Sequence, residues 1–94
     1  MRRLAVSDRF RTQLRKLPPH DQRKAGTALE GFLAALTGQM PAGLGFKKIN
    51  GDKYALRIDL RLRIVMKSEG DTFVCHLIGN HEDVKRYLRT YRNK

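Results

Sequence analysis

Arg57, Arg61 and Arg63 stand at alternate positions of a strand-like stretch, and further along the chain comes Asn80-His81-Glu82-Asp83. Guanidinium groups neutralise the charge that builds on a phosphorane, and an imidazole moves protons near neutral pH. Carboxylates can orient that imidazole or move protons themselves. Several cations, an imidazole and a carboxylate near one end of a sheet point to chemistry on a phosphodiester.

The alternation shows how these residues are positioned. From Tyr54 to Met66 the even positions are Tyr54, Leu56, Ile58, Leu60, Leu62, Ile64 and Met66, and Arg57, Asp59, Arg61 and Arg63 are odd, a period of two. The run exceeds the usual strand length of about 3–10 residues, so a hairpin is expected. A two-residue loop would pair positions of opposite parity and spoil the apolar face. A loop of Asp59 to Arg61 pairs Ile58 with Leu62, keeps that face and sets Arg57 directly opposite Arg63. Two like charges facing each other are mildly destabilising, a cost tolerable on a surface that meets an anion. The two arginines fit an ordinary solvated face equally well, and the residues alone leave both readings open.

Among the other groups, His81 is the leading proton carrier, since it follows a strand and should be exposed. A capping or surface histidine is the competing explanation. Glu82 could act with it, although a carboxylate in the first turn of a helix is also explained by the helix dipole. Tyr87 could stack on a base or donate a proton, whereas a tyrosine on an amphipathic helix is more often packing. His76 sits in an apolar strand and reads as a core histidine. Lys85, Arg86, Arg89, Arg92 and Lys94 form a basic tail, either solvated or holding a nucleic-acid backbone. His20, His76 and His81 have no close ligand spacing and Cys75 has no CxxC partner, so no metal site is expected. No glycine-rich phosphate loop or serine elbow is present, and no cofactor is implied.

Twenty Lys and Arg against nine Asp and Glu give a formal net charge of +11 over 94 residues. That balance favours a polyanionic partner, nucleic acid or an acidic protein. The length suits one domain spanning residues 1–94 with a modest core. The single cysteine, Cys75, excludes an intramolecular disulfide and reads as buried. No run approaches the roughly 20 apolar residues of a membrane span and no signal-peptide core is seen, so a cytoplasmic protein is expected.

The remaining elements follow from local signals. Arg3 to Val6 reads as an edge strand, and Ser7-Asp8 as the cap of a helix with Phe10, Leu14 and Leu17 on its apolar stripe. Pro18-Pro19 ends it. A second helix, Asp21 to Leu36, should bury Ala25, Leu29, Phe32, Leu33 and Leu36, with Gly38 as its stop. The two helices read as an antiparallel hairpin on one face of the sheet. Gln39 to Gly45 is a loop, and Phe46-Lys47-Lys48-Ile49 leads through Asn50-Gly51-Asp52 into the hairpin. Lys67 to Asp71 is a turn. Thr72 to Ile78, apolar at both parities, should be a central strand, and Asn80 should cap a final helix over Glu82 to Tyr91. The expected order is one strand, two helices, three strands and a helix. The fold class is α+β, a small antiparallel sheet with an N-terminal helical hairpin on one face and a short C-terminal helix.

With "KYALRIDLRLRIVMK" as the central strand pair and "FVCHLIGNHEDVKRYL" as the last strand and helix, the chain resembles the RelE/ParE superfamily of bacterial toxin-antitoxin toxins over essentially its whole length. In the ribosome-dependent mRNA endonucleases of that family, basic residues on the middle strands, a basic or imidazole group after the last strand and a C-terminal tyrosine carry the chemistry. The resemblance carries these roles to Arg57, Arg63, His81 and Tyr87, with Lys47, Lys48, Arg61, Lys85, Arg86 and Arg89 expected to bind nucleic acid. It implies mRNA cleavage in the ribosomal acceptor site by metal-free 2′-hydroxyl attack. It further implies a cognate antitoxin as partner, with DNA met only through the antitoxin complex. Two positions depart from the pattern: Ala55 stands at the second basic position of the strand before the hairpin loop, and Met66 where an aromatic residue is frequent. Lys47 and Lys48 are candidates to supply the missing charge. Those departures keep open a ParE-like, non-enzymatic inhibitor of DNA gyrase, or a binding module without chemistry.

Overall fold

In the computed structural model, residues 3–38 and 44–90 are described. Ser7 starts the first helix, its hydroxyl accepting the Phe10 N–H at 3.1 Å. Such a bond satisfies one of the amide donors that the first helical turn leaves without partners. The elements run β1 (Arg3–Val6), α1 (Asp8–Arg15), α2 (Pro19–Leu36), β2 (Phe46–Asn50), β3 (Lys53–Arg57), β4 (Arg63–Glu69), β5 (Thr72–Gly79) and α3 (His81–Thr90). Most of the expected loop at Gln39 to Gly45 lies outside the described residues, as do tail residues Arg92 and Lys94.

The five strands form one sheet in the order β1-β5-β4-β3-β2. It is antiparallel except between β1 and β5, which run parallel because the helical pair returns the chain to the opposite edge. One strand more is present than expected, for Phe46–Asn50 pairs with β3 instead of only leading into it. Its two adjacent lysines hide the alternation, and pairing supplies what the pattern does not show.

The Asp59–Arg61 loop has the expected register: Ile58 N–H donates to Leu62 O at 2.9 Å, and Arg57 lies opposite Arg63. The Asp59 carboxylate accepts the backbone amides of Arg61 and Leu62, each at 2.8 Å, and the Lys24 ammonium at 2.9 Å. Led by the Lys24 bond and then by those amides, these contacts hold the Asp59 carboxyl well below the usual carboxylate range.

The sheet is covered on both faces. On one, Phe10 of α1 and Ala25 and Phe32 of α2 pack on Leu56, Ile64, Met66, Phe73, Cys75 and Ile78. Phe32 contacts Phe46 and Phe73, with ring centroids 4.7 and 5.5 Å apart. Cys75 is buried as expected, and burial pushes its thiol up to about 12. Leu33, assigned to the α2 stripe, is instead 48% exposed, while Ala35 is buried. The helix turns its Ala25–Phe32–Ala35 side inward, and Leu33 points away from it. On the other face, Val84 and Tyr87 of α3, flanked by Leu88, cover Val65 and Leu77.

A bulge in β5 serves both layers. Val65 pairs with Leu77 and Met66 with Cys75, so His76 is the extra residue. Phe73 and Cys75 therefore share the α1–α2 face with Ile78 instead of Leu77. His76 is not a satisfied core histidine: its Nε2 is buried without a hydrogen bond, 3.5 Å from the Glu69 carboxylate.

Candidate active site and nucleic-acid interface

The register aligns the candidate groups at one end of the sheet. Arg57 lies opposite Arg63, and Arg63 opposite Gly79, making a row across β3, β4 and β5. Lys47 pairs with Ala55, two residues before Arg57, and so shares the face of Arg57. Together Lys47, Ala55, Arg57 and Arg63, with Gly45 and Phe46, line a hollow of about 290 Å³. Arg57 and Lys47 are exposed and Arg63 is half-buried. Among the described residues, none of the three cations forms an ion pair with a carboxylate. Three uncompensated cations around a hollow create a positive potential that attracts phosphate.

His81 enters this end through the start of α3, two residues after Gly79, and is exposed. A reciprocal capping box fixes the turn. Asp83 N–H donates to the Asn80 side-chain oxygen at 2.8 Å, and Asn80 N–H donates to the Asp83 carboxylate at 2.9 Å. Gly79 is required beneath it, since a Cβ there would stand 2.6 Å from the Asp83 carboxylate oxygen.

The other expected residues scatter. Tyr87 is 6% exposed among Val65, Leu77 and Val84, with the Arg9 guanidinium 5.6 Å from its ring centre, and it borders a cavity of about 350 Å³ with Arg9, Ile78 and Asp83. So small an exposure fits packing better than stacking on a base. It follows Val84 by one helical turn, and that spacing was the signal for packing. Lys48 pairs with Tyr54 and so stands on the α1–α2 side of the sheet, away from Lys47. Arg61 reaches to Asp21 at 3.2 Å on α2. Lys85, Arg86 and Arg89 are exposed on α3, with Arg86 paired to Asp83 at 3.3 Å.

Two sets of groups escaped the sequence reading. Lys53, on the face of Ala55 and Arg57, is 5% exposed and neutralised by Asp52 at 3.4 Å. His20, Arg23 and Lys24, one turn of α2, border a larger cavity that reaches Arg57 from the other side. Their i, i+3, i+4 spacing was visible, but the sheet edge that they face was not.

An antiparallel sheet with β1 parallel to β5, two helices on one face and one on the other define the class of fold, that of RelE-type toxins. Among solved structures, the chain is similar to the toxin–antitoxin complex of RelE and RelB from Methanococcus jannaschii, at 19% identity and a TM-score of 0.68, covering 88% of this chain and 96% of that one. The DinJ–YafQ complex from E. coli gives 13% identity and a TM-score of 0.65 over 89% and 98% of the two chains. The YoeB–YefM complex from Staphylococcus aureus gives 14% and 0.61 over 86% and 98%. No family model and no curated protein matches the sequence. At such identities the fold is what is shared. Among the described residues, no helix is long and apolar enough to cross a membrane.

Proposed function

We propose that this protein is the toxin of a toxin–antitoxin pair and an endoribonuclease that cleaves mRNA in the acceptor site of the ribosome. The observation that carries the reading is the Arg57–Arg63 pair, which faces an open hollow with Lys47 and has no carboxylate partner among the described residues. Facing cations without counter-ions are costly to a fold unless an anion joins them. The RelE-type fold supports the same assignment, since solved toxins of that fold stand in complex with antitoxins.

In this reading the ribose 2′-hydroxyl attacks the adjacent phosphorus and the bond to the 5′-oxygen breaks, leaving a 2′,3′-cyclic phosphate and a 5′-hydroxyl. Arg57 and Arg63 stabilise the phosphorane oxygens, and Lys47 holds a neighbouring phosphate in place of the basic residue that Ala55 lacks. The proton of the 2′-hydroxyl leaves and one arrives at the departing 5′-oxygen. His81 delivers the second, and Glu82, beside it in α3, is the carboxylate available to take up the first. No step calls on a metal. Tyr87 acts by packing, holding α3 and with it His81 against the sheet. The antitoxin covers the Arg57–Arg63 face, and contact with DNA comes only through that complex.

Ala55 and the burial of Tyr87 favour a second reading, a non-enzymatic inhibitor of DNA gyrase on the same fold. Primer extension on a defined mRNA in programmed ribosomes separates the two. Cuts confined to the acceptor-site codon, lost in His81→Ala, support the nuclease, whereas growth arrest with intact mRNA rejects it.

A further inference from the structure

A cavity larger than the Arg57–Arg63 hollow, of about 600 Å³, lies between α2 and the open end of the sheet. Its volume lies within the roughly 300–1,000 Å³ of ligand pockets. Arg23, Lys24 and Arg57 border it as cations, His20 as an imidazole, Asp59 as a carboxylate, and Ala28, Leu44 and Ile58 as apolar surface, with Thr27 at its edge. Asp59 is already neutralised by Lys24 and two backbone amides, so the lining presents net positive charge over an apolar floor.

Gly45 and Arg57 border both this cavity and the smaller hollow. Between them Arg57 N–H donates to Gly45 O at 3.1 Å, and Gly45, at φ +82°, brings its Cα so near that a Cβ would touch Arg57 at 3.4 Å. The ridge between the two hollows is thus a single backbone contact crowned by the Arg57 side chain. A chain bound in one hollow can cross to the other without leaving Arg57.

We propose that the α2 cavity is a second nucleotide subsite, holding the nucleotide next to the one at Arg57 and Arg63 on a single RNA strand. This rests on the RNA-cleaving reading above. A nucleotide has what the lining asks for: a phosphate for Arg23 and Arg57, and a flat base whose faces lie on Leu44, Ile58 and a guanidinium plane. An acidic peptide would supply the charge, but a flat face comes with every nucleotide and only with the aromatic side chains of a peptide.

Thr27 gives the test, because it is exposed at the cavity edge on α2 and outside the core. Binding of a fluorescent hexaribonucleotide is titrated with the wild-type protein, with Thr27→Glu, and with Thr12→Glu. The last adds the same charge on the exposed surface of α1. Thr27→Glu should raise Kd about tenfold or more, since a carboxylate is set against the bound phosphate, while Thr12→Glu shifts it less than about twofold. Equal effects of the two variants, no effect of either, or no hexamer binding by the wild type would overturn the subsite. Cleavage in programmed ribosomes, run beside the titration, keeps the two ideas apart. Wild-type cleavage with no selective Thr27→Glu effect removes only the subsite. A selective effect without cleavage removes the nuclease and leaves an RNA-binding cavity.

Discussion

Arg57 and Arg63 form a non-hydrogen-bonded pair across β3 and β4. The Arg57 N–H is turned toward Gly45 on the other side, so β4 receives no backbone bond from Arg57. In such pairs the facing Cα atoms are about 4.5 Å apart, closer than in hydrogen-bonded pairs. The sheet therefore holds the Cα atoms of two arginines as near as facing strand positions allow.

That closeness separates activity from stability. Arg63→Gln should lower the single-turnover cleavage rate by about 100-fold or more, as removal of one donor to a developing anion does. Thermal unfolding of the same variant should show stability unchanged or raised by up to about 1 kcal/mol, because a like-charge contact has gone. A variant that loses activity and stability together would make Arg63 a structural residue.

Position 79 reports on how His81 is placed. Gly79→Ala drives a Cβ into Asp83, whose carboxylate closes the capping box with Asn80. Stability should fall by about 1 kcal/mol or more, the value of a helix cap, and cleavage should fall further than in Asp83→Asn, which leaves the backbone in place. Equilibrium urea unfolding and ribosomal cleavage, measured on both variants, decide this.

The β3–β4 loop should carry an acid-sensitive anchor. Folding depresses the Asp59 carboxyl below its ordinary value of about 3.9, so its contribution is fully present above that pH and is lost as pH falls below it. The stability advantage of wild type over Asp59→Asn should then be constant from about pH 7 to pH 5 and shrink toward pH 2. An advantage independent of pH over that range would show that the loop does not depend on the ionised carboxylate.

Two neighbours on α2 should behave oppositely. Phe32 is fully buried between Phe46 and Phe73, so Phe32→Ala should cost about 3–5 kcal/mol. Leu33, half exposed, should lose no more than about 0.5 kcal/mol on change to Ala. Chemical denaturation midpoints test the pair, and a large loss at Leu33 would mean that its side of α2 is covered in solution.

Cys75 should be silent to thiol reagents in the folded protein. With its thiol pushed up to about 12 by burial, it holds almost no thiolate at neutral pH. Alkylation should need unfolding, and modification of native protein at the rate of a free thiol would count against the core assigned to β5.

Local rules by themselves determined a large part of this molecule. The parity of Leu56, Ile58, Leu62 and Ile64 admits only an odd hairpin loop if one face is to stay apolar, and a three-residue loop from Asp59 to Arg61 puts Arg57 against Arg63. Ser7, Pro18 and Asn80 mark helix limits through hydrogen bonds or missing amides that act within a few residues. Four features were decided by distant contacts. Phe46–Asn50 is a strand because β3 offers it a partner, and its Lys47-Lys48 pair conceals that from any periodicity. Leu33 and Ala35 exchange expected roles because the side of α2 turned inward depends on where the sheet lies, not on hydrophobicity alone. Whether Tyr87 meets solvent or the core, and whether His20, Arg23 and Lys24 face a cavity or open water, depends on the docking of helices against strands far away in the chain. Spacing along a sequence specifies which residues share a face, and only packing specifies what that face meets.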